Sequence, residues 1–167
     1  MKSIPARIGI VVALAAAVFL WYKYRAPHYL TGDQAPDFEV ALADNTLVKL
    51  SDLRGKHVLL QFWGSWCGPC RRENPHLLKL YRQYHDKGFE VFSVGIEQSP
   101  KAWQRAIEQD SMIWRYHSAD FNDFKGGVAK QFNITSIPAT FLIDPQGMIV
   151  GVNLAPEQME KLLSKRL

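Results

Sequence analysis

Phe62-Trp63-Gly64-Ser65-Trp66-Cys67-Gly68-Pro69-Cys70 is the stretch that decides the fold. It carries the only two cysteines of the 167-residue chain. It also closes an apolar run, His57 to Trp63, that reads as a buried strand. A helical pattern follows, so the thiols belong where a strand turns into a helix. With Cys67 opening that helix and Cys70 one turn inside it, both sulfurs face one side at a separation a disulfide can span. A thiol at a helix start feels unpaired backbone N–H groups and the positive end of the helix dipole. That interaction is worth about 0.3–2 kcal/mol, against about 1.4 kcal/mol per pKa unit, so it lowers a thiol pKa from about 8.5 by about one. Cys67 is therefore the expected nucleophile, and Cys70 the less accessible partner that resolves a mixed disulfide. Pro69 suits the first turn, whose N–H groups lack helical partners anyway.

Two other uses of a cysteine pair compare poorly. Zinc wants about four ligands and this pair supplies two. His28, His57, His76, His85 and His117 add no paired ligand spacing. A purely structural disulfide closing a two-residue loop constrains the unfolded chain very little. The reading is a reversible dithiol–disulfide couple, Cys67–Cys70, working without a metal or other cofactor. A non-enzymatic metal carrier using both cysteines is the alternative from a different class.

Outward from the motif, Leu77, Leu80, Tyr81 and Tyr84 mark one helical face, predicting a helix from Cys67 to about His85 with Pro75 inside it. Lys87-Gly88 stops it, and Phe89 to Ile96 is a second buried strand, parallel to the first because a long helix joins them. Toward the N-terminus, Phe38 to Leu42 and Leu47 to Leu50 flank Asp44-Asn45 as a hairpin. Ser51 to Lys56 makes a turn or one helical turn. Toward the C-terminus, Pro100 to Gln109 reads as a helix, Met112 to Tyr116 as a short strand and Val128 to Phe132 as a short helix. Ala139 to Ile143 and Met148 to Val152 are strands around the turn Asp144-Pro145-Gln146-Gly147. Pro156 to Leu167 is a closing helix, with Met159, Leu162 and Leu163 inward.

The formal charge of +4 comes from Lys2, Arg7, Lys23 and Arg25, in a stretch that holds no acid; the remaining 16 basic and 16 acidic residues cancel. Nucleic-acid binding has no electrostatic support. Ile8 to Tyr22 is uncharged and mostly apolar. As a helix, fifteen residues reach about 22 Å, short of a ~30 Å hydrocarbon core, but Arg7 and Lys23 can snorkel and Trp21, Tyr22 and Tyr24 suit the interface. A cleaved signal peptide is the competing reading, but no small-x-small site follows the apolar run. The expected organisation is a retained membrane anchor over residues 1–25, a linker over 26–34 and one domain over 35–167. That domain is expected on the extracytoplasmic side.

Taken together, Phe62 to Cys70 and its surroundings resemble the active site of thioredoxin-fold oxidoreductases. In detail the chain resembles the membrane-anchored TlpA/ResA-type thiol–disulfide oxidoreductases, from about Ala35 to the C-terminus. The resemblance implies an α/β thioredoxin fold: a mixed central sheet flanked by helices, an N-terminal β-hairpin of the kind peroxiredoxins share, and a central insertion between Ile96 and Ile137. Pro75, five residues after Cys70, fits the thioredoxin pattern. Thr135-Ser136-Ile137-Pro138-Ala139-Thr140 fits the cis-proline segment, although an X–Pro bond is trans by default. By the same resemblance Ile137 pairs with an extended substrate segment, and Trp66, Gly68, Pro69 and Pro138 line its binding surface. Glu73 matches a glutamate near the dithiol, whereas thioredoxins themselves place a buried aspartate where this chain has Gln61. Arg71 and Arg72 are expected to face solvent. The implied activity is reduction of disulfides in exported proteins, such as apocytochrome c, with a membrane electron donor restoring the dithiol. A peroxiredoxin-like thiol peroxidase is the enzymatic rival. Its pattern wants a threonine or serine, and a proline, where this chain has Gly64 and Leu60.

Overall fold

The computed structural model describes residues 4–25 and 29–167, and strand β3 (His57–Trp63) is buried along its whole length at the centre. Its side chains alternate between two cores, as strand geometry requires. Val58, Leu60 and Phe62 enter one, while Leu59 and Trp63 enter the other. Strand β4 (Phe89–Ile96) pairs with it in parallel and β6 (Ala139–Ile143) antiparallel, so Leu60 lies between Phe92 and Phe141. Strands β5 (Tyr116–Asp120) and β7 (Ile149–Val152) complete a mixed sheet of order β5-β4-β3-β6-β7. This is the thioredoxin fold expected from the sequence.

Helix α2 (Gly68–Tyr84) makes the crossover from β3 to β4. Its buried stripe, Leu77, Leu80, Tyr81 and Tyr84, is the one the sequence spacing predicts. The chain then turns through Gly88, whose φ of 97° is a left-handed conformation that glycine takes without a Cβ penalty. The α2 core also receives Trp103 and Ala106 from α3 (Pro100–Gln109), and Met159 and Leu163 from α5 (Pro156–Leu163). The opposite core is closed by the hairpin of β1 (Glu39–Ala41) and β2 (Leu47–Lys49), and by α4 (Gly127–Gln131). Phe132 sits at its centre, with ring centroids 5.5 Å from Phe62, 5.1 Å from Phe141 and 6.1 Å from Phe38.

Two elements differ from expectation by more than a residue at either end. The strand expected over Met112 to Tyr116 lies at Tyr116–Asp120 instead. Met112 and Trp114 are buried, but through side chains packed in the α2 core, and the Met112 N–H closes the end of α3 on the Ile107 carbonyl. What makes Tyr116–Asp120 a strand is backbone pairing with Phe92–Ile96. A sequence such as Tyr-His-Ser-Ala-Asp does not advertise that. The closing helix also stops at Leu163 rather than continuing to Leu167.

Both edges of the sheet are covered. On the β5 side the Ala43 N–H donates to the His117 carbonyl at 2.9 Å, and Ser118 Oγ donates to the Ala41 carbonyl at 2.9 Å. On the β7 side Gly32 and Ile149 N–H groups donate to the Ile149 and Asp33 carbonyls at 2.8 Å each, and Ala35 N–H to Gly147 at 2.9 Å. The expected linker is thus laid against β7 from Gly32 onward, while its first residues, 26–28, lie outside the described residues. Helix α1 spans Ile4–Arg25 and exposes Ile10, Val11, Val12, Leu14, Val18 and Phe19. Among the described residues no helix is long and apolar enough to cross a membrane.

Phe132 sets a test of this packing. Phe132→Ala should destabilise the protein by about 3–5 kcal/mol in urea unfolding, the usual cost of emptying a buried aromatic site. A loss below about 1 kcal/mol would show that the hairpin core does not depend on it.

Candidate active site

The dithiol grows directly out of the sheet. β3 ends at Trp63, a turn runs Gly64 to Cys67 with Cys67 N–H donating to the Gly64 carbonyl at 3.0 Å, and α2 begins at Gly68. Cys67 is the N-cap: its Sγ accepts from the Cys70 N–H at 3.2 Å, and its carbonyl accepts from Arg71 N–H at 3.1 Å. Sulfur thus satisfies one of the amide donors a helix start leaves open. Cys67 and Cys70 are joined in a disulfide with Cα atoms 5.3 Å apart. Both are buried, Cys70 completely. Gly68 and Pro69 form the first turn between them.

Trp66 stands beside the pair with 57 % of its surface exposed, held by its indole Nε1–H donating to the Ile96 carbonyl at 2.8 Å. Gly64 makes this possible. A Cβ there would come within 2.9 Å of the Trp66 Nε1 and 3.0 Å of the Ile96 oxygen. Trp63, Trp103 and Trp114 are buried packing residues. The Ile137–Pro138 peptide is cis, and Ile137 packs against the core that contains both cysteines. Glu73 is half-buried and lines a cavity of about 280 Å³ with Pro138, Thr140, Asn153, Leu154 and Pro156. Burial pushes its carboxyl above the ordinary value, partly offset by His76.

Beneath the N-terminal half of α2 a chain of neutral polar side chains runs between the sheet and the helix. Gln61 Nε2 donates to Asn74 Oδ1 at 3.0 Å, and Gln61 Oε1 accepts from Ser93 Oγ at 2.8 Å. Ser93 in turn accepts from Trp114 Nε1 at 2.9 Å. Asn74 Nδ2 leads outward to Asp110 Oδ2 at 2.8 Å. Asp110 also holds Arg71 through a forked pair, with Arg71 Nε at 2.9 and 3.1 Å from its two oxygens and Arg71 Nη2 at 2.6 Å. This corrects the expectation that Arg71 faces solvent. Its charge is spent on a carboxylate that fastens α3 to α2, which raises the guanidinium pKa further.

Sequence reading missed Glu97. It follows β4 immediately, is almost wholly buried, and turns both carboxylate oxygens onto Ser65: Oε1 accepts the backbone N–H and Oε2 the hydroxyl, the latter at 2.8 Å. Burial raises its pKa, and the two Ser65 hydrogen bonds oppose that. The available signal was positional. A carboxylate closing an apolar strand, at the same sheet end as the cysteines, is where open α/β sheets build sites.

Comparisons with known proteins agree with this geometry. The model of the AhpC/TSA family matches residues 31–152. Thiol-disulfide oxidoreductase ResA of Bacillus cereus (strain ATCC 10987 / NRS 248) is 30% identical over 166 residues, covering 95% of this chain and 94% of that protein. Its namesake from Geobacillus kaustophilus (strain HTA426) is 33% identical, covering 94% and 92%. Among solved structures, the thioredoxin domain of a thiol-disulfide oxidoreductase from Bacteroides vulgatus superposes with a TM-score of 0.74 at 33% identity, covering 82% of this chain and 97% of that one. A dithiol heading a helix off a buried strand, a cis-proline segment packed against it and relatives of one activity lead to the same place: the chain belongs to the AhpC/TSA family, among the ResA-type thiol–disulfide oxidoreductases.

Proposed function

We propose that this protein reduces disulfides of exported proteins by dithiol exchange, from a membrane tether on the extracytoplasmic side. The observation that carries the reading is the asymmetry of the pair. Cys67 caps α2 with its sulfur on the Cys70 N–H, while Cys70 lies wholly inside the core. In the reduced state the Cys67 thiolate attacks one sulfur of the substrate disulfide. A Cys67–substrate bond forms and the other substrate sulfur leaves as a thiolate that takes up a proton. Cys70 then loses its proton and attacks Cys67. The substrate's second thiolate departs, and two electrons have moved from enzyme to substrate. A membrane electron donor with its own dithiol returns them, since the compartment itself is oxidising.

Ile137 and the cis Pro138 are proposed to receive an extended substrate segment by backbone pairing, with Trp66, Gly68 and Pro69 on the facing side. Apocytochrome c, whose cysteines must be reduced before haem attachment, is the substrate this reading favours. Glu73 is proposed as the proton carrier for Cys70. It lies three residues after Cys70 on α2 and lines the cavity beside the cis Pro138, and its raised pKa keeps a proton available closer to neutrality. The tether is α1, whose apolar side chains from Ile10 to Phe19 are exposed.

Cys70→Ser should accumulate mixed disulfides with substrate, seen on non-reducing gels, and Cys67→Ser should accumulate none. The opposite pattern reverses the roles. Glu73→Gln carries a pH signature. A carboxyl whose folded pKa is raised stabilises the fold only in its protonated form, and that stability is lost as pH rises through the folded pKa. The glutamine protein should therefore melt higher than wild type near pH 7, and the difference should vanish by about pH 4. It should also show a lower thiol pKa by alkylation rate, because a nearby negative charge is gone, and slower resolution of mixed disulfides. Superimposable melting and alkylation curves would remove Glu73 from the mechanism. For the tether, deletion of residues 1–25 should release the protein from membrane fractions into the soluble fraction, and unchanged fractionation would refute it.

A further inference from the structure

The turn that presents Cys67 is strapped to the end of β4 at both of its central residues. Gly64 and Cys67 close the turn. Of the residues between them, Ser65 is held by Glu97 through its N–H and its hydroxyl, and Trp66 by the Ile96 carbonyl at 2.8 Å. The strap is itself rooted, since the Glu97 N–H donates to the Asp120 carbonyl at 2.9 Å and continues the β4–β5 pairing. Gly64 lets the turn close this tightly, since a Cβ there would come within 2.9 Å of the Trp66 Nε1 and 3.0 Å of the Ile96 oxygen. A buried carboxylate is costly unless hydrogen-bonded, and both oxygens of this one are spent on the single residue two positions before the nucleophile.

We propose that Glu97 is a positioning residue for thiol–disulfide exchange: its bidentate hold on Ser65 fixes the turn so that the Cys67 sulfur meets the substrate disulfide in line. The assignment rests on the dithiol-exchange reading above and deepens it. Glu97 does not touch the sulfur. In-line attack along the S–S axis tolerates little misplacement, and the Cys67–Cys70 N–H contact within α2 cannot by itself set where the helix start points. The substrate side of the geometry lies on a separate element, the Ile137–Pro138 segment, so the Cys67 turn must be registered against the sheet that both share. Glu97 provides that registration from the strand next to β3.

The test uses the full chain, reduced beforehand, in single-turnover reduction of insulin disulfides, alongside alkylation of Cys67 by iodoacetamide at a pH where the thiol is ionised. Glu97→Ala should slow insulin reduction about ten- to a hundredfold, the loss expected when a reacting group is misplaced by about 1 Å. Alkylation should stay near the wild-type rate, because a small reagent needs no alignment. Glu97→Gln, which can still accept the Ser65 N–H and meet the hydroxyl, should recover most of the lost exchange rate. Ser65→Ala removes one of the two bonds and should fall between; it decides the matter if Glu97→Ala does not fold. Wild-type exchange rates in the folded alanine variants overturn the proposal. So does a glutamine variant as slow as alanine, which would make charge the agent, or exchange and alkylation falling together, which would make it thiol reactivity. A wild-type protein that cannot reduce insulin at all would instead sink the dithiol-exchange reading itself.

Discussion

A helix that starts one short turn after a buried strand brings an amide donor of its first turn, that of Cys70, into the core and away from water. An unpaired buried N–H costs about 1–3 kcal/mol. Here the Cys67 sulfur takes this donor at 3.2 Å, and Pro69 has no N–H to place. The same contact that makes the strand–helix junction tolerable puts the sulfur where negative charge is favoured. Fold stability and thiol reactivity are therefore not separate achievements of this sequence. They are two readings of one junction, and the sheet order, with β3 central and buried on both faces, is what forces the junction inward.

The charges around that junction are arranged with economy. Gln61 and Asn74 give the space beneath α2 an uncharged polar filling, joined by hydrogen bonds from Trp114 to Asp110. Arg71, adjacent to Cys70, is turned onto Asp110. Near the dithiol lie the helix start, Arg72, whose Nη1 stands 3.6 Å from where a Cβ on Gly68 would be, and two carboxylates on different elements, Glu73 on α2 and Glu97 after β4. Both have pKa values raised by burial. One borders a cavity and the other is fully engaged by Ser65, so their protons have different fates despite the shared direction of shift.

How much of this was legible in the sequence follows from how local each signal is. β3, α2, the N-terminal hairpin and the Asp144–Gly147 turn were readable because periodicity and turn residues act within a few positions. The cis bond at Ile137–Pro138 was readable only through resemblance, since locally an X–Pro bond is trans. β5 was misplaced because Tyr116–Asp120 becomes a strand by pairing with β4 across the insertion, while the apolar residues just before it are claimed by a helical core. The Arg71–Asp110 fork and the Glu97–Ser65 clasp join residues 39 and 32 positions apart. No pattern of neighbours encodes such pairs, and an exposed arginine and a lone acid are what composition alone suggests.

The covered edges of the sheet have a consequence for how the molecule meets other polypeptides. An open edge is a template that any extended polypeptide can join. Here Ala41, Ala43, His117 and Ser118 close one side, and Gly32 to Ala35 close the other against Gly147 and Ile149. With both edges engaged by its own chain, the sheet offers other polypeptides little backbone to pair with, which insulates the molecule from edge-to-edge aggregation.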